Sequence, residues 1–339
     1  MNANPATSEL PPLDVVIVGG GPAGLSAALI LGRCRRNVLL CDDGRPRNAR
    51  SKSLHGFLTR DGIEPAELLR VSREQLVAYS TVTTRDTRVV HAQCPALRRK
   101  TRRAADAEFV LTLEDGTTVR SRKLLLATGV TDDLPDFEGV SDLYGRGVFH
   151  CPYCDGWEVR DQPVAIYGTG RGGPGLALEL TAWTRDIVLC TDGQEIEKRD
   201  ARRLAKAGIA VRNEPIARLV GDADGLERIE FTTGSPHACR ALFFSTQNRQ
   251  RSDLAEKLGC VFTKKGAVAT GQYETTNVSG LFVAGDASRL IHLAIVAAAE
   301  GAQAAFAINT ALLREDLSSK RVNWRRSRLS PAEGARSSP

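Results

Sequence analysis

Asp14-Val15-Val16-Ile17-Val18-Gly19-Gly20-Gly21-Pro22-Ala23-Gly24 is the stretch that decides the fold of this chain. Its β-branched apolar run has the pattern of a strand buried on both faces. The glycines that follow make a tight turn, and Leu25–Arg33 continues as a helix. A second apolar run, Val38-Leu39-Leu40-Cys41, ends in Asp42-Asp43-Gly44, which completes a βαβ unit within about 30 residues. In a Gly-x-Gly-x-x-Gly turn the first glycine permits the bend, the second lets a pyrophosphate approach the backbone, and the third packs helix on strand. The helix N-terminus adds free N–H groups and the positive end of its dipole. Gly19, Gly21, Pro22, Ala23 and Gly24 are therefore candidates to hold a dinucleotide pyrophosphate. Asp42 or Asp43 suits an adenosine ribose that carries no 2′-phosphate.

The same grammar recurs. Pro163–Tyr167 reads as a strand, Gly168-Thr169-Gly170-Arg171-Gly172-Gly173 as a turn, Gly175–Thr184 as a helix, and Ile187–Cys190 as a strand ending in Thr191-Asp192-Gly193. The first unit places its acid 23 residues after Gly19, and the second places Asp192 24 residues after Gly168. Gly168, Gly170, Gly173 and Asp192 are accordingly a second nucleotide set, in which the acid favours NADH over NADPH. Lys198, Arg199, Arg202 and Arg203 lie nearby, spaced like the solvated face of a helix, so NADPH stays open. Elsewhere, Glu108–Leu113 and Thr117–Arg120 form a hairpin pattern around Asp115-Gly116. Lys123–Leu126 reads as a strand closed by Ala127-Thr128-Gly129, and Gly280–Asp286 as a strand and turn before a helix over Ala294–Leu313. The expected fold is α/β, with two Rossmann-like, doubly wound, three-layer dinucleotide-binding domains, the second inserted in the first. Residues 14–132 and 248–317 would form the outer domain and 133–247 the inserted one, with 1–13 and 318–339 as disordered tails.

Composition narrows the function classes. The chain has 339 residues, 42% hydrophobic and 25% charged, values of an ordinary globular protein. Of the formal charge of +6, the segment 318–339 supplies +5 through Lys320, Arg321, Arg325, Arg326, Arg328 and Arg336 against Glu333. The body is nearly neutral, which argues against nucleic acid as a partner. No uncharged apolar run reaches the roughly 18 residues that cross a bilayer, because His292 and Glu300 interrupt the most apolar helix. No membrane association is therefore expected. Met1–Leu13 lacks the pattern of a signal peptide. Eight scattered cysteines do not make a secreted disulfide framework, so a cytoplasmic location is expected.

Between the two units stands Phe149-His150-Cys151-Pro152-Tyr153-Cys154-Asp155-Gly156-Trp157-Glu158. Two cysteines separated by two residues at the start of a helical turn can close a small disulfide, and the helix dipole there lowers a thiol pKa. A zinc site needs a second ligand pair, and no other Cys-x-x-Cys or His-x-x-x-His pair exists, so no metal is expected. Asp155 can shuttle a proton to or from a neighbouring thiolate, or serve as a helix-cap carboxylate. His150 joins Cys151, Cys154 and Asp155 in the candidate catalytic set.

Taken in order, the two glycine turns, Ala127-Thr128-Gly129, Cys151–Asp155, and Ala284-Gly285-Asp286 before an alanine-rich helix resemble the low-molecular-weight thioredoxin reductase family over residues 14–315. The resemblance implies FAD in the outer domain, a pyridine nucleotide in the inserted one, a redox disulfide beside the flavin, and a homodimer. It places Gly19, Gly21 and Gly24 at the FAD pyrophosphate, Asp42 at the ribose, and Gly285 and Asp286 on the ribityl-phosphate side. Cys154 would face the flavin, Cys151 would exchange with the substrate disulfide, and Asp155 would be the acid–base group.

Three departures stand out. The family's basic element for the NADPH 2′-phosphate is replaced by Thr191-Asp192-Gly193. Its Arg-Gln-Ala before the final helix reads His292-Leu293-Ala294, one residue shorter, so His292 and Ala294 become the cofactor candidates there. Tyr153 and Trp157 add aromatic bulk to the cysteine loop. These features resemble a side branch of thioredoxin reductase-like proteins and flavin-dependent dithiol oxidases that close disulfides in small natural products. The leading expectation is an FAD-dependent thiol–disulfide oxidoreductase whose partner is a thioredoxin-like redox protein or a small dithiol or disulfide. An oxygen-using dithiol oxidase is the first alternative, and a flavin-binding sensor without turnover is the second.

Overall fold

The computed structural model describes residues 13–94, 108–168, 170, 172–245 and 247–318. The expected tails at 1–12 and 319–339, and Thr169 and Arg171 of the second turn, lie outside the described residues. In chain order the outer unit begins with β1 (Leu13–Val18), α1 (Pro22–Arg33), β2 (Val38–Asp42), α2 (Pro65–Leu76) and β3 (Val82–Asp86). It continues with β4 (Val89–Gln93), β5 (Phe109–Leu113), β6 (Thr118–Leu126) and β7 (Val130–Asp132). The middle of the chain carries α3 (Val140–Leu143), β8 (Val148–Phe149), α4 (Pro152–Asp155), β9 (Val164–Tyr167), α5 (Gly172–Leu180) and β10 (Ile187–Cys190). After these come α6 (Lys198–Lys206), β11 (Ala210–Arg212), β12 (Ile216–Asp222), β13 (Gly225–Phe231), β14 (His237–Ala238) and β15 (Ala241–Phe244). The chain then returns through β16 (Asn248–Gln250), α7 (Leu254–Lys257), β17 (Leu281–Val283) and α8 (Ala294–Ser318).

The first sheet runs β3-β2-β1-β6-β5-β4, with β17 on the free edge of β6. β1 pairs in parallel with β2 and β6, and its apolar run is buried on both faces. Val15 and Ile17 face α1 and α8, whereas Val16 and Val18 face a second core with Phe109, Leu111 and Leu124. That two-sided burial is why the strand reads as an unbroken hydrophobic run rather than an alternating one. The second sheet, β11-β10-β9-β15-β8, is parallel throughout. β7 and β16 pair antiparallel where the chain leaves the first sheet and comes back to it.

Several expected boundaries move. β1 starts at Leu13, which had been assigned to the N-terminal tail. The segments Thr117–Arg120 and Lys123–Leu126 are one nine-residue strand, because no glycine or proline interrupts them. The first part of β6 pairs antiparallel with β5 and its last part parallel with β17. α5 covers Gly172–Leu180 rather than Gly175–Thr184, and Thr184 instead caps the Gln162 carbonyl through its hydroxyl at 2.8 Å. α8 runs on to Ser318, past both Leu313 and the expected boundary at 317. It is long and apolar enough to cross a membrane by length and composition alone. One side of it, including Ala297, Ala304, Ala305, Ile308 and Leu312, is buried in the core shared with α1. The antiparallel sheet β12-β13-β14 was not anticipated.

Candidate active site

A cleft opens at the carboxyl ends of β1, β2 and β6, where ligands of open α/β sheets bind. One end is lined by Asp42, Asp43, Arg88 and Val89, the middle by Gly19–Ala23, and the far end by Asp286, His150, Cys154 and Asp155. Thr128, Gly129, Gly285, His292 and Ala294 also line it.

The first glycine turn has the division of labour that its spacing implies. Gly19 sits at φ +110°, and a Cβ there would collide with the Ala127 carbonyl. Gly24 lies beneath the turn against the Gly19 carbonyl, and no cleft wall includes it. Nothing approaches within 4 Å of a Cβ on Gly21, so that residue faces open space at the N-terminus of α1. This open cradle beside free helix-terminal N–H groups fits a pyrophosphate. The same cleft is lined by Asp42 and Asp43 at the end of β2 and by Cys154.

Asp42 accepts the Gly20 N–H at 3.1 Å and is ion-paired with Arg73 from α2. Asp43 is paired with Arg45 at 2.6 Å. The second turn lies away from this cleft. Gly168 and Gly173 pack on each other, Gly170 has φ +60° with open space before it, and Asp192 accepts the Tyr167 hydroxyl at 3.1 Å. Burial, reinforced by Asp192, pushes the Tyr167 phenol up to about 12.

Cys151 and Cys154 form a disulfide with Cα atoms 5.3 Å apart. Cys151 is the N-cap of α4, and Pro152 occupies the first helical position. Cys154 lines the cleft and Cys151 does not. Tyr153 and Trp157, 67% and 64% exposed, flank the disulfide. Tyr153 meets Trp183 edge-on at 5.5 Å, and Arg160 lies 4.2 Å over the Trp157 ring.

His150 is held by a network that the sequence did not disclose. Arg47 donates to Asp132 at 2.5 Å, to Asp286 at 2.8 Å and to His150 Nε2 at 3.3 Å. A guanidinium only donates, so Nε2 is the acceptor and the ring proton sits on Nδ1. That proton goes to the Tyr144 hydroxyl at 2.9 Å, and Tyr144 in turn donates to Asp132 at 3.2 Å. Burial drives the His150 pKa down to about 4, with Arg47 and His292 adding to the effect, so the ring is neutral at pH 7. Burial opposes the ionisation of Asp132, but the hydrogen bond from Arg47 and the fields of His150 and Arg47 hold its carboxyl below the usual range.

Both ring nitrogens of His150 are therefore engaged, and the ring holds Tyr144 and Arg47 rather than exchanging protons. Asp155 differs. Burial at the cleft and the charge of Glu158 raise its pKa to about 7, against the opposing effect of His55. A carboxyl poised there can both give and take a proton at neutral pH. Near Asp286, Glu300 accepts the Gly285 N–H at 2.8 Å and pairs with Arg289 at 2.5 Å, which fixes the turn that carries Asp286. Arg47, Tyr144, Asp132, Arg73 and Glu300 were all missed, and only the spacing of Glu300 on the final helix offered a local hint.

The chain resembles known proteins in both sequence and fold. Residues 13–301 match the pyridine nucleotide-disulphide oxidoreductase family. A probable thioredoxin reductase of Arthroderma benhamiae is 30% identical over 319 residues, covering 84% of this chain and 78% of the relative. The crystal structure of HlmI superposes with a TM-score of 0.86 at 35% identity, covering 91% of this chain and 95% of that one. A putative thioredoxin reductase TrxB from Bacillus anthracis superposes with a TM-score of 0.83 at 30% identity, covering 89% and 99%.

Proposed function

The chain belongs to the pyridine nucleotide-disulphide oxidoreductase family, and from that membership we propose an FAD-dependent thiol–disulfide exchange through Cys151 and Cys154. The observation that carries this reading is the position of Cys154. It lines the same cleft as the first glycine turn and is bonded to a cysteine outside that cleft. Gly19–Ala23 would hold the FAD pyrophosphate, Asp42 and Asp43 the adenosine end, and Asp286 the ribityl side. FAD bound there supplies two-electron exchange with the cysteine pair.

The chain's own groups perform the thiol chemistry. One thiolate of a substrate dithiol attacks Cys151 Sγ, the Cys151–Cys154 bond breaks, and Cys154 leaves as a thiolate. The substrate's second thiolate then displaces Cys151, forming the substrate disulfide and leaving both cysteines reduced. Asp155 takes up and returns protons beside Cys154. The reverse sequence reduces a disulfide. Potential differences of about 30 mV, equivalent to roughly 1.4 kcal/mol, decide which direction prevails. Partners are a thioredoxin-like protein or a small dithiol or disulfide, with a homodimer in the cytoplasm as the working form. NADH is the preferred nicotinamide because Asp192 would repel a 2′-phosphate.

A second reading, an oxidase that passes the electrons to oxygen, is favoured by one observation. The Asp192 carboxylate, which would bind the ribose of a nicotinamide nucleotide, is already engaged by Tyr167. Anaerobic rapid mixing of the yellow protein with NADH, NADPH and dithiothreitol separates the readings. Bleaching by NADH, followed by recolouring with a disulfide protein, is the reductase outcome. Bleaching by dithiothreitol alone, with rapid recolouring in air, is the oxidase outcome. Cys151→Ser and Cys154→Ser are expected to abolish turnover in both cases, and unchanged turnover in either variant would remove the basis of the proposal.

A further inference from the structure

Next to the Asp286 turn lies a group of charged side chains that the exchange chemistry has not used. Arg289, from the segment between β17 and α8, reaches two buried carboxylates. Its Nε donates to Glu300 of α8 at 2.5 Å, its Nη2 to both Glu274 oxygens at 2.6 and 2.7 Å, and its Nη1 to the Thr270 hydroxyl at 3.1 Å. Glu274 and Glu300 are 1% and 4% exposed. A strained backbone carries Glu274 to this place. Tyr273 and Glu274 both lie in the left-handed region, at φ +56° and +63°, which non-glycine residues keep only where surrounding contacts hold them. The other oxygen of Glu300 accepts the Gly285 N–H at 2.8 Å. Gly285 is wedged against α1, because a Cβ on it would come within 3.1 Å of the Ala23 Cβ.

The backbone of Arg289 makes a second attachment. Its carbonyl lies 2.9 Å from His292 Nε2. A carbonyl only accepts, so that nitrogen carries the proton and, in the neutral ring, Nδ1 is left as an acceptor. His292 lines the cleft, as Asp286 does. Leu290 and Ile291 between them are exposed, so this segment is anchored through the Arg289 side chain.

We propose that Arg289 is a positioning residue for the cofactor: its fork across Glu274 and Glu300 sets where the Gly285–Asp286 turn and the His292 ring stand on the cleft wall. The inference rests on the FAD reading given above. A guanidinium presents its donors in a rigid planar fork and bridges two carboxylates at once, whereas a lysine ammonium is a point charge on a flexible stem. Buried carboxylates need a cation in either case. Charge compensation and positioning are therefore separable by substitution.

The test compares the unmodified chain with Arg289→Lys and Arg289→Met by thermal melting, by FAD titration, and by ¹⁵N NMR of the His292 ring in apoprotein at a pH above the imidazole range. Arg289→Lys keeps the cation and should melt well above Arg289→Met. Its FAD affinity should nonetheless fall by about tenfold, what one lost hydrogen bond is worth. Its His292 should pass from a single Nε2–H tautomer to a mixture of both.

Unaltered FAD affinity in Arg289→Lys, or an unaltered His292 tautomer, overturns the positioning role and leaves the function reading standing. A melting temperature of Arg289→Lys as low as that of Arg289→Met also overturns it, because the residue would then be structural alone. Should Arg289→Lys fail to fold, the Gly285 amide of the unmodified protein decides. Held by Glu300, it should exchange with deuterium as slowly as the amides of β1, and exchange at the rate of an exposed loop overturns the proposal. Failure of the unmodified protein to take up FAD overturns both readings.

Discussion

At the scale of single residues, the site is defined by two groups whose environments pull their ionisation in opposite directions. His150 is forced neutral, with its pKa brought down to about 4, and Asp155 is kept protonated up to about 7. Between pH 4 and 6.5 an unfolded chain has a charged histidine and a charged aspartate at these positions. The native protein holds both neutral there. A depressed histidine makes stability fall as pH drops from 6.5 toward 4. A raised aspartate makes it fall as pH climbs from about 4 through 7. The two slopes nearly cancel in the native protein, and single substitutions should expose them. Relative to the unmodified chain, Asp155→Asn should gain stability from pH 4.5 to 6.5. His150→Asn should lose stability over the same interval. Each change should be on the order of 2 kcal/mol, less than the full shifts would give because both side chains touch the open cleft. Urea midpoints at pH 4.5, 5.5 and 6.5 would measure this, and parallel curves for all three proteins would contradict it.

At the scale of elements, the contact between α1 and α8 fixes the helix whose N-terminus faces the cleft. A Cβ on Gly301 of α8 would strike the Ala23 carbonyl of α1, backbone against backbone. Gly301→Ala should therefore cost about 1–3 kcal/mol, as overpacking does, and should weaken FAD binding by tilting α1. Gly21→Ala meets no protein atom within 4 Å. Its apoprotein should melt like the unmodified one while its FAD affinity falls, because the added methyl fills the pyrophosphate cradle. Paired melting curves and FAD titrations would distinguish the two effects. Equal destabilisation of both apoproteins would contradict the division of roles within the turn. Both strand–turn–helix units were legible in the sequence because their logic is local: an apolar run, three spaced glycines and an acid. The continuity of β6 was not, because its halves pair with different strands, and only those partners show that it is one element.

At the scale of the molecule, the segment from Arg45 to Lys52 ties the loop after β2 to residues far along the chain. Arg47 joins Asp286 to Asp132 and His150, Arg50 reaches the Ser141 carbonyl, and Lys52 reaches the Ala223 carbonyl at 3.2 Å. The Asp132 side chain is only 4% exposed, so removing its cation leaves a buried charge without compensation. Arg47→Met should cost roughly 3–5 kcal/mol, and adding Asp132→Asn should recover much of that. Thermal unfolding of the two single variants and the double variant forms the cycle that tests this, and additive losses would show that the pair is not coupled.

The sequence by itself determined the two nucleotide-binding units, their order, the cysteine pair between them and the family they belong to. These features are written in residues within some two dozen positions of one another, where backbone geometry and hydrophobic period leave few alternatives. Only the tertiary structure decided that His150 is a neutral, fully engaged ring. It also decided that Asp192 is engaged by Tyr167. Each of these depends on side chains brought together from distant parts of the chain, such as Arg47 with Asp286, 239 positions apart. Protonation state and access follow from burial and neighbouring charge, which exist only once the two units have packed.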